Sequence, residues 1–94
     1  MGDDKVLSAT ELKRQIWHSR RGMLELDVLL EPFARNELAN LAAHEQQVYI
    51  RLLAQQDPDI FAWLMGNAKC PDQELASMVE RIQVKKDKII EYGE

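Results

Sequence analysis

Arg20-Arg21-Gly22-Met23-Leu24-Glu25-Leu26-Asp27 is a short polar stretch set between two helical patterns. Lys13, Arg14, Arg20 and Arg21 precede the glycine with no acid among them, and Glu25, Asp27 and Glu31 follow it with no base among them. That reversal of sign fits a junction between two helices. Cations are favoured at the C-terminal end of a helix and carboxylates at the N-terminal end, each by roughly 0.3–1 kcal/mol. Gly22 at the joint can take positive φ and lets another backbone come close. Two readings of the stretch stand together: a helix–helix corner, or a docking surface made by Arg21, Gly22 and Glu25.

Upstream, Ser8 is a good N-cap and Glu11 stands where a capping box needs it, with Leu7 and Leu12 at the staple positions. The first helix is expected to run to about Arg20, burying Leu12 and Ile16 with Trp17 beside them. The second begins after Gly22. At about 100° per residue, Met23, Leu26, Leu29, Leu30 and Phe33 share one broad face. Leu24 and Val28 fall opposite, so that either the helix is buried on two sides or those two residues form an exposed apolar contact surface. Pro32 removes a backbone donor and predicts a kink, with the helix continuing to about Asn40.

Further on, a third helix is predicted over Ala43 to Gln55, with Val48, Tyr49, Leu52 and Leu53 as core positions. Its start lacks a polar cap, because Ala42 stands where Ser or Asp is usual. Asp57-Pro58 reads as an N-cap followed by proline at the first helical position. The fourth helix, to about Met65, carries Ile60, Phe61, Trp63 and Leu64 and ends at Gly66-Asn67. The last starts near Pro71-Asp72, with Leu75, Met78, Val79 and Ile82 at helical spacing. Residues 1–7 and 85–94 read as flexible ends. No stretch shows the β-branched alternation of a strand. The fold class is all-α: a compact five-helix bundle in a single domain.

The 94 residues suffice for one core, and 46% apolar with 30% charged content is ordinary for a soluble globular protein. A net charge of −4 argues against broad nucleic-acid binding. Cys70 is the single cysteine, which excludes an internal disulfide and a thiolate metal cluster. The N-terminal residues lack the pattern of a signal peptide, and no apolar run is long enough to insert in a bilayer, so a cytoplasmic protein is expected. His18 and His44 belong to no metal-ligand spacing, and neither a GxGxxG nor a P-loop is present. Glu25 and Asp27 point to different sides of a helix and make no acid/base pair. The residues describe an interaction protein rather than an enzyme.

The same stretch, Arg20 to Asp27, resembles the signature of the SdhE family, the FAD assembly factors of succinate dehydrogenase. The likeness continues through Tyr49-Ile50-Arg51-Leu52-Leu53 and Asp57-Pro58-Asp59-Ile60-Phe61-Ala62-Trp63-Leu64-Met65. It closes with Glu74-Leu75, Met78-Val79 and Ile82-Gln83. Two features depart from the family pattern: the uncapped third helix, and Gln56 in place of an acid before the Asp-Pro pair. The resemblance implies a small five-helix protein that binds the flavoprotein subunit of succinate dehydrogenase or fumarate reductase. It would promote covalent attachment of FAD, with the FAD carried by that client and no cofactor bound stably here. Carried over to this chain, the partner-binding residues are Arg21, Gly22 and Glu25, flanked by Arg20 and Asp27. A monomer is expected in the free state. An antitoxin-like regulator of a small membrane toxin is the alternative partner reading, and a DNA-binding regulator ranks below it because the helix after Gly22 is acid-rich.

Overall fold

The computed structural model describes residues 6–92, with side chains as far as Val84. Its elements are α1 (Ala9–His18), α2 (Leu24–Asn36), a 3-10 turn (Leu38–Asn40), α3 (Ala43–Leu53), α4 (Asp57–Met65) and α5 (Gln73–Tyr92). Among the described residues there is no strand, as expected for an all-α bundle. The helix breaks at Gly22, whose φ is +82°. α2 runs through Pro32 without interruption. The carbonyl that Pro32 deprives of its helical donor belongs to Val28, on the exposed side of the helix. The stretch predicted to continue α2 to Asn40 instead tightens into the 3-10 turn, which aims Leu38 into the core.

One core joins all of these elements. Leu26, Leu30, Phe33, Leu52, Leu53, Leu64, Leu75 and Val79 are buried, as their spacing predicted, together with Tyr49, Ile60, Met78 and Ile82. Each such aliphatic side chain contributes about 1.5–3 kcal/mol when fully buried. α2 is the central element, meeting α1, α4 and α5, while α3 lies along α5. Phe33 of α2 stacks on Tyr49 of α3 with ring centroids 5.5 Å apart.

The ends of the helices explain several boundaries. Ser8 Oγ accepts the Glu11 N–H at 3.2 Å, but Glu11 turns to Arg14 instead of completing the box. Leu7 is held by its N–H, which donates to Gln46 Oε1 at 2.7 Å. At α3 the cap comes from the other direction: Glu45 Oε1 accepts the Ala42 N–H at 3.0 Å, so the uncapped start keeps half of a capping box. The N-cap of α4 is Gln56, not Asp57, which is already helical and free to bond elsewhere. Gly66, at φ +79°, closes α4 in a Schellman motif, with Asn67 N–H on Ala62 O at 2.8 Å. Asp72 caps α5 through the Leu75 N–H at 3.0 Å. The expectation of flexible ends falls, for residues 1–5 and for the side chains of 85–94, outside the described residues.

Candidate functional site: the corner between α1 and α2

The corner is fixed from below by buried polar groups. Ser19, fully buried, donates from Oγ to the Gln15 carbonyl at 2.7 Å and lies 2.6 Å from Tyr49 Oη. Tyr49 Oη also reaches the Leu30 carbonyl at 3.2 Å. The end of α1 is thus bolted to α3 and α2 at the residue just before the Arg-Arg pair. Burial pushes the Tyr49 phenol well above its ordinary range, so it stays a neutral donor.

Arg21 holds the corner from the side. Its Nε donates to Asp57 Oδ1 at 2.8 Å, NH1 to the His18 carbonyl at 3.0 Å and NH2 to the Gln55 carbonyl at 3.4 Å. One guanidinium therefore serves the C-terminal ends of α1 and α3 and the first turn of α4, where a cation and an acid each suit the helix dipoles. Its backbone N–H donates to Asp27 Oδ1 at 2.6 Å, so Asp27 staples the turn. Arg21 thus serves the helix–helix corner and is not paired with Glu25. The Arg21 side chain is only 17% exposed and is committed to Asp57, and Asp27 is likewise committed to the turn.

Glu25, Gly22 and Arg20 face outward. Glu25 is exposed and has no hydrogen-bond or ion-pair partner among the described residues. Gly22 is exposed, and a Cβ placed on it would meet nothing within 4 Å. Arg20 lies over the Trp17 ring, 5.6 Å from its centroid, and its Nε is 3.8 Å from Glu31 Oε1 on α2. Trp17, expected beside the core, is instead 68% exposed, because α1 turns Leu12, Gln15 and Ile16 inward. Leu24 and Val28, on one face of α2, are 73% and 51% exposed. Of the two readings of that face, the exposed apolar surface is the one present.

The sequence did not point to Trp17, Ser19, Gln15 or Asp57 as parts of this corner. The first-turn position of Asp57 was legible, but not that its carboxylate answers a cation 36 residues earlier. His18 and His44 are exposed, and among the described residues no group of three or more His, Cys, Asp or Glu is placed to hold a metal. No helix among the described residues is long and apolar enough to cross a membrane.

The fold is that of a small all-α protein with an exposed corner between α1 and α2. Its sequence matches the family model described as flavinator of succinate dehydrogenase over residues 13–86, and the chain belongs to that family. Among its relatives is the FAD assembly factor SdhE of Shewanella oneidensis, 49% identical over 72 residues, covering 77% of this chain and 88% of that one. The FAD assembly factor SdhE of Pseudomonas putida is 45% identical over 84 residues, covering 85% of this chain and all of the other. The solution structure of a UPF0350 protein, 41% identical, superposes with a TM-score of 0.71 and covers 88% of this chain and 90% of that one.

Proposed function

We propose that this chain is a non-catalytic FAD assembly factor that binds the flavoprotein subunit of succinate dehydrogenase, and of fumarate reductase where present, and promotes covalent attachment of FAD to it. The chemistry belongs to client and cofactor, and FAD is carried by the client. The assembly factor works as a monomer in the cytoplasm. The observation that carries this reading is the exposed corner itself, in a family whose members are named for FAD assembly. Gly22 leaves room for a client backbone, Glu25 offers an unpaired carboxylate, and the exposed Leu24 and Val28 offer apolar area on the same helix as Glu25. Arg20 adds a cation already stacked on Trp17. Arg21 and Asp27 hold the turn in shape.

The test is in-gel flavin fluorescence of the client flavoprotein on a denaturing gel, in cells with and without this chain. Loss of the fluorescent band without the chain, and its return on complementation, is the expected result. An equally fluorescent band in both strains would exclude the assembly role.

A further inference from the structure

On the side of the corner away from Trp17, the end of α1 meets the last turn of α3. Gln15, His18, Arg21, Ile50, Leu53 and Ala54 line a groove there of about 420 Å³. Gln15 is 4% exposed, and its Oε1 has no hydrogen-bond partner. Among the described residues it is the one buried side-chain polar atom left so. Buried polar groups in native folds are otherwise paired, so the Gln15 amide is a place where an incoming group gains a hydrogen bond. A half-turn of the amide about its last bond exchanges donor and acceptor, so the residue can meet either kind of group.

The groove is open to solvent, so an occupant would displace water from it. The floor is apolar, made by Ile50, Leu53 and Ala54. The rim carries donors and no carboxylate. Arg21 spends three of its five N–H groups on Asp57, His18 O and Gln55 O, which leaves two, and His18 is exposed beside it. One occupant answers all three features: an extended peptide, with a backbone N–H or C=O for Gln15, an apolar side chain for the floor and a carboxylate for the rim.

We propose that this groove takes an extended segment of the client flavoprotein in which an apolar residue stands next to an acidic one. The proposal rests on the client-binding reading above and adds a second contact, on the opposite side of α1 from Trp17. Arg21 then has two duties: it holds the corner, and it presents its spare N–H groups to the client carboxylate.

The experiment is calorimetric titration of the full chain into the purified apo flavoprotein subunit, with each variant checked for thermal unfolding. Ala54 is exposed, so substitution there disturbs the core least. Ala54→Glu places a like charge beside the client carboxylate and should weaken binding about tenfold or more, while Ala54→Gln, of equal size, should weaken it about threefold or less. Ser77→Glu, the same charge on exposed α5, should have no effect. Unchanged binding by Ala54→Glu removes the groove, and equal weakening by Glu and Gln removes the acidic partner. If Ala54→Glu does not fold, Gln15→Met carries the test: it should fold at least as stably and bind several-fold more weakly, and full-strength binding overturns the proposal. Failure of the unaltered chain to bind the client overturns the client-binding reading and this one with it, whereas normal binding with an indifferent Ala54→Glu overturns this one alone.

Discussion

Arg21 Nε and Asp57 Oδ1 meet at 2.8 Å across 36 residues of sequence, joining the α1–α2 corner to the first turn of α4. The pair is partly shielded, with side chains 17% and 35% exposed. Charge-assisted bonds in such places contribute about 1.5–3 kcal/mol. Asp57→Asn keeps the shape and removes the charge, so it should lower stability by about 1–2 kcal/mol. In a domain of this size that corresponds to a fall in Tm of very roughly 4–8 °C per kcal/mol, measurable by thermal unfolding. Arg21→Ala should cost more, because the His18 and Gln55 carbonyls lose their donor as well.

The second prediction concerns the buried phenol. Tyr49→Phe removes the Oη that joins Ser19 to Leu30 while keeping the ring on Phe33, so it should destabilise by about 1 kcal/mol near pH 7. Desolvation raises the folded pKa of Tyr49 above its ordinary 10.0, against smaller opposing effects of the Ser19 bond and the Arg21 charge. The folded state therefore keeps a proton that the unfolded state gives up, and the stability gained from Tyr49 is complete below about pH 10 and declines as the pH rises past it. Denaturant unfolding of both proteins should show the wild-type advantage shrinking on the alkaline side. A constant difference from pH 8 to pH 11 would count against the burial argument.

An acid-side counterpart lies where α3 meets α5. Arg51 donates to Glu74 Oε1 and to Asp72 Oδ2, each at 2.6 Å, and His44 Nε2 reaches Glu74 Oε2 at 2.7 Å. The bonds from Arg51 and then His44 hold Glu74 below its ordinary 4.5. The Leu75 N–H, then the Arg51 charge, hold Asp72 below its ordinary 3.8. Depressed carboxylate pKa values stabilise the fold above the unfolded values, and that stability is lost as the pH falls through the folded ones. All of these groups are solvent-facing, so the effect is modest and screened by salt. Arg51→Gln should lower Tm slightly at pH 7 and low ionic strength, and the gap from wild type should close below about pH 4.

The helices and the core were legible in the sequence because both depend on periodicity and on local end signals. Leu26, Leu30, Leu52 and Leu75 follow from spacing alone. The corner was legible only in part. Gly22 was readable because a chain reversal between helices demands positive φ, which L residues resist. The roles of Arg21 and Glu25 were not separable, since the i, i+4 spacing that suggests a pair says nothing of Asp57. Trp17 was misplaced because its size argues for burial, whereas the angle of α1 on α2 decides which face is covered. Gln15, Ser19 and Gln46 are polar residues inside the core, and nothing in a single sequence distinguishes them from surface polar residues.

The separation of Arg21 from Glu25 sharpens the last prediction. Glu25 is exposed and unpaired among the described residues, so Glu25→Ala removes no hydrogen bond or ion pair of the free chain. It should change stability by less than about 0.5 kcal/mol, with a small loss from the helix dipole because Glu25 lies in the first turn of α2. If the carboxylate meets a cation or N–H of the client, its loss should cost about 1.5–3 kcal/mol of affinity, more than tenfold. Flavin fluorescence of the client should then fall while variant abundance and Tm stay normal. Asp57→Asn serves as the contrast, since it loosens the corner from behind and should lower Tm first. A fully fluorescent client with Glu25→Ala at normal abundance would take Glu25 out of the contact and leave Gly22, Arg20 and the apolar trio Trp17, Leu24 and Val28 to carry it.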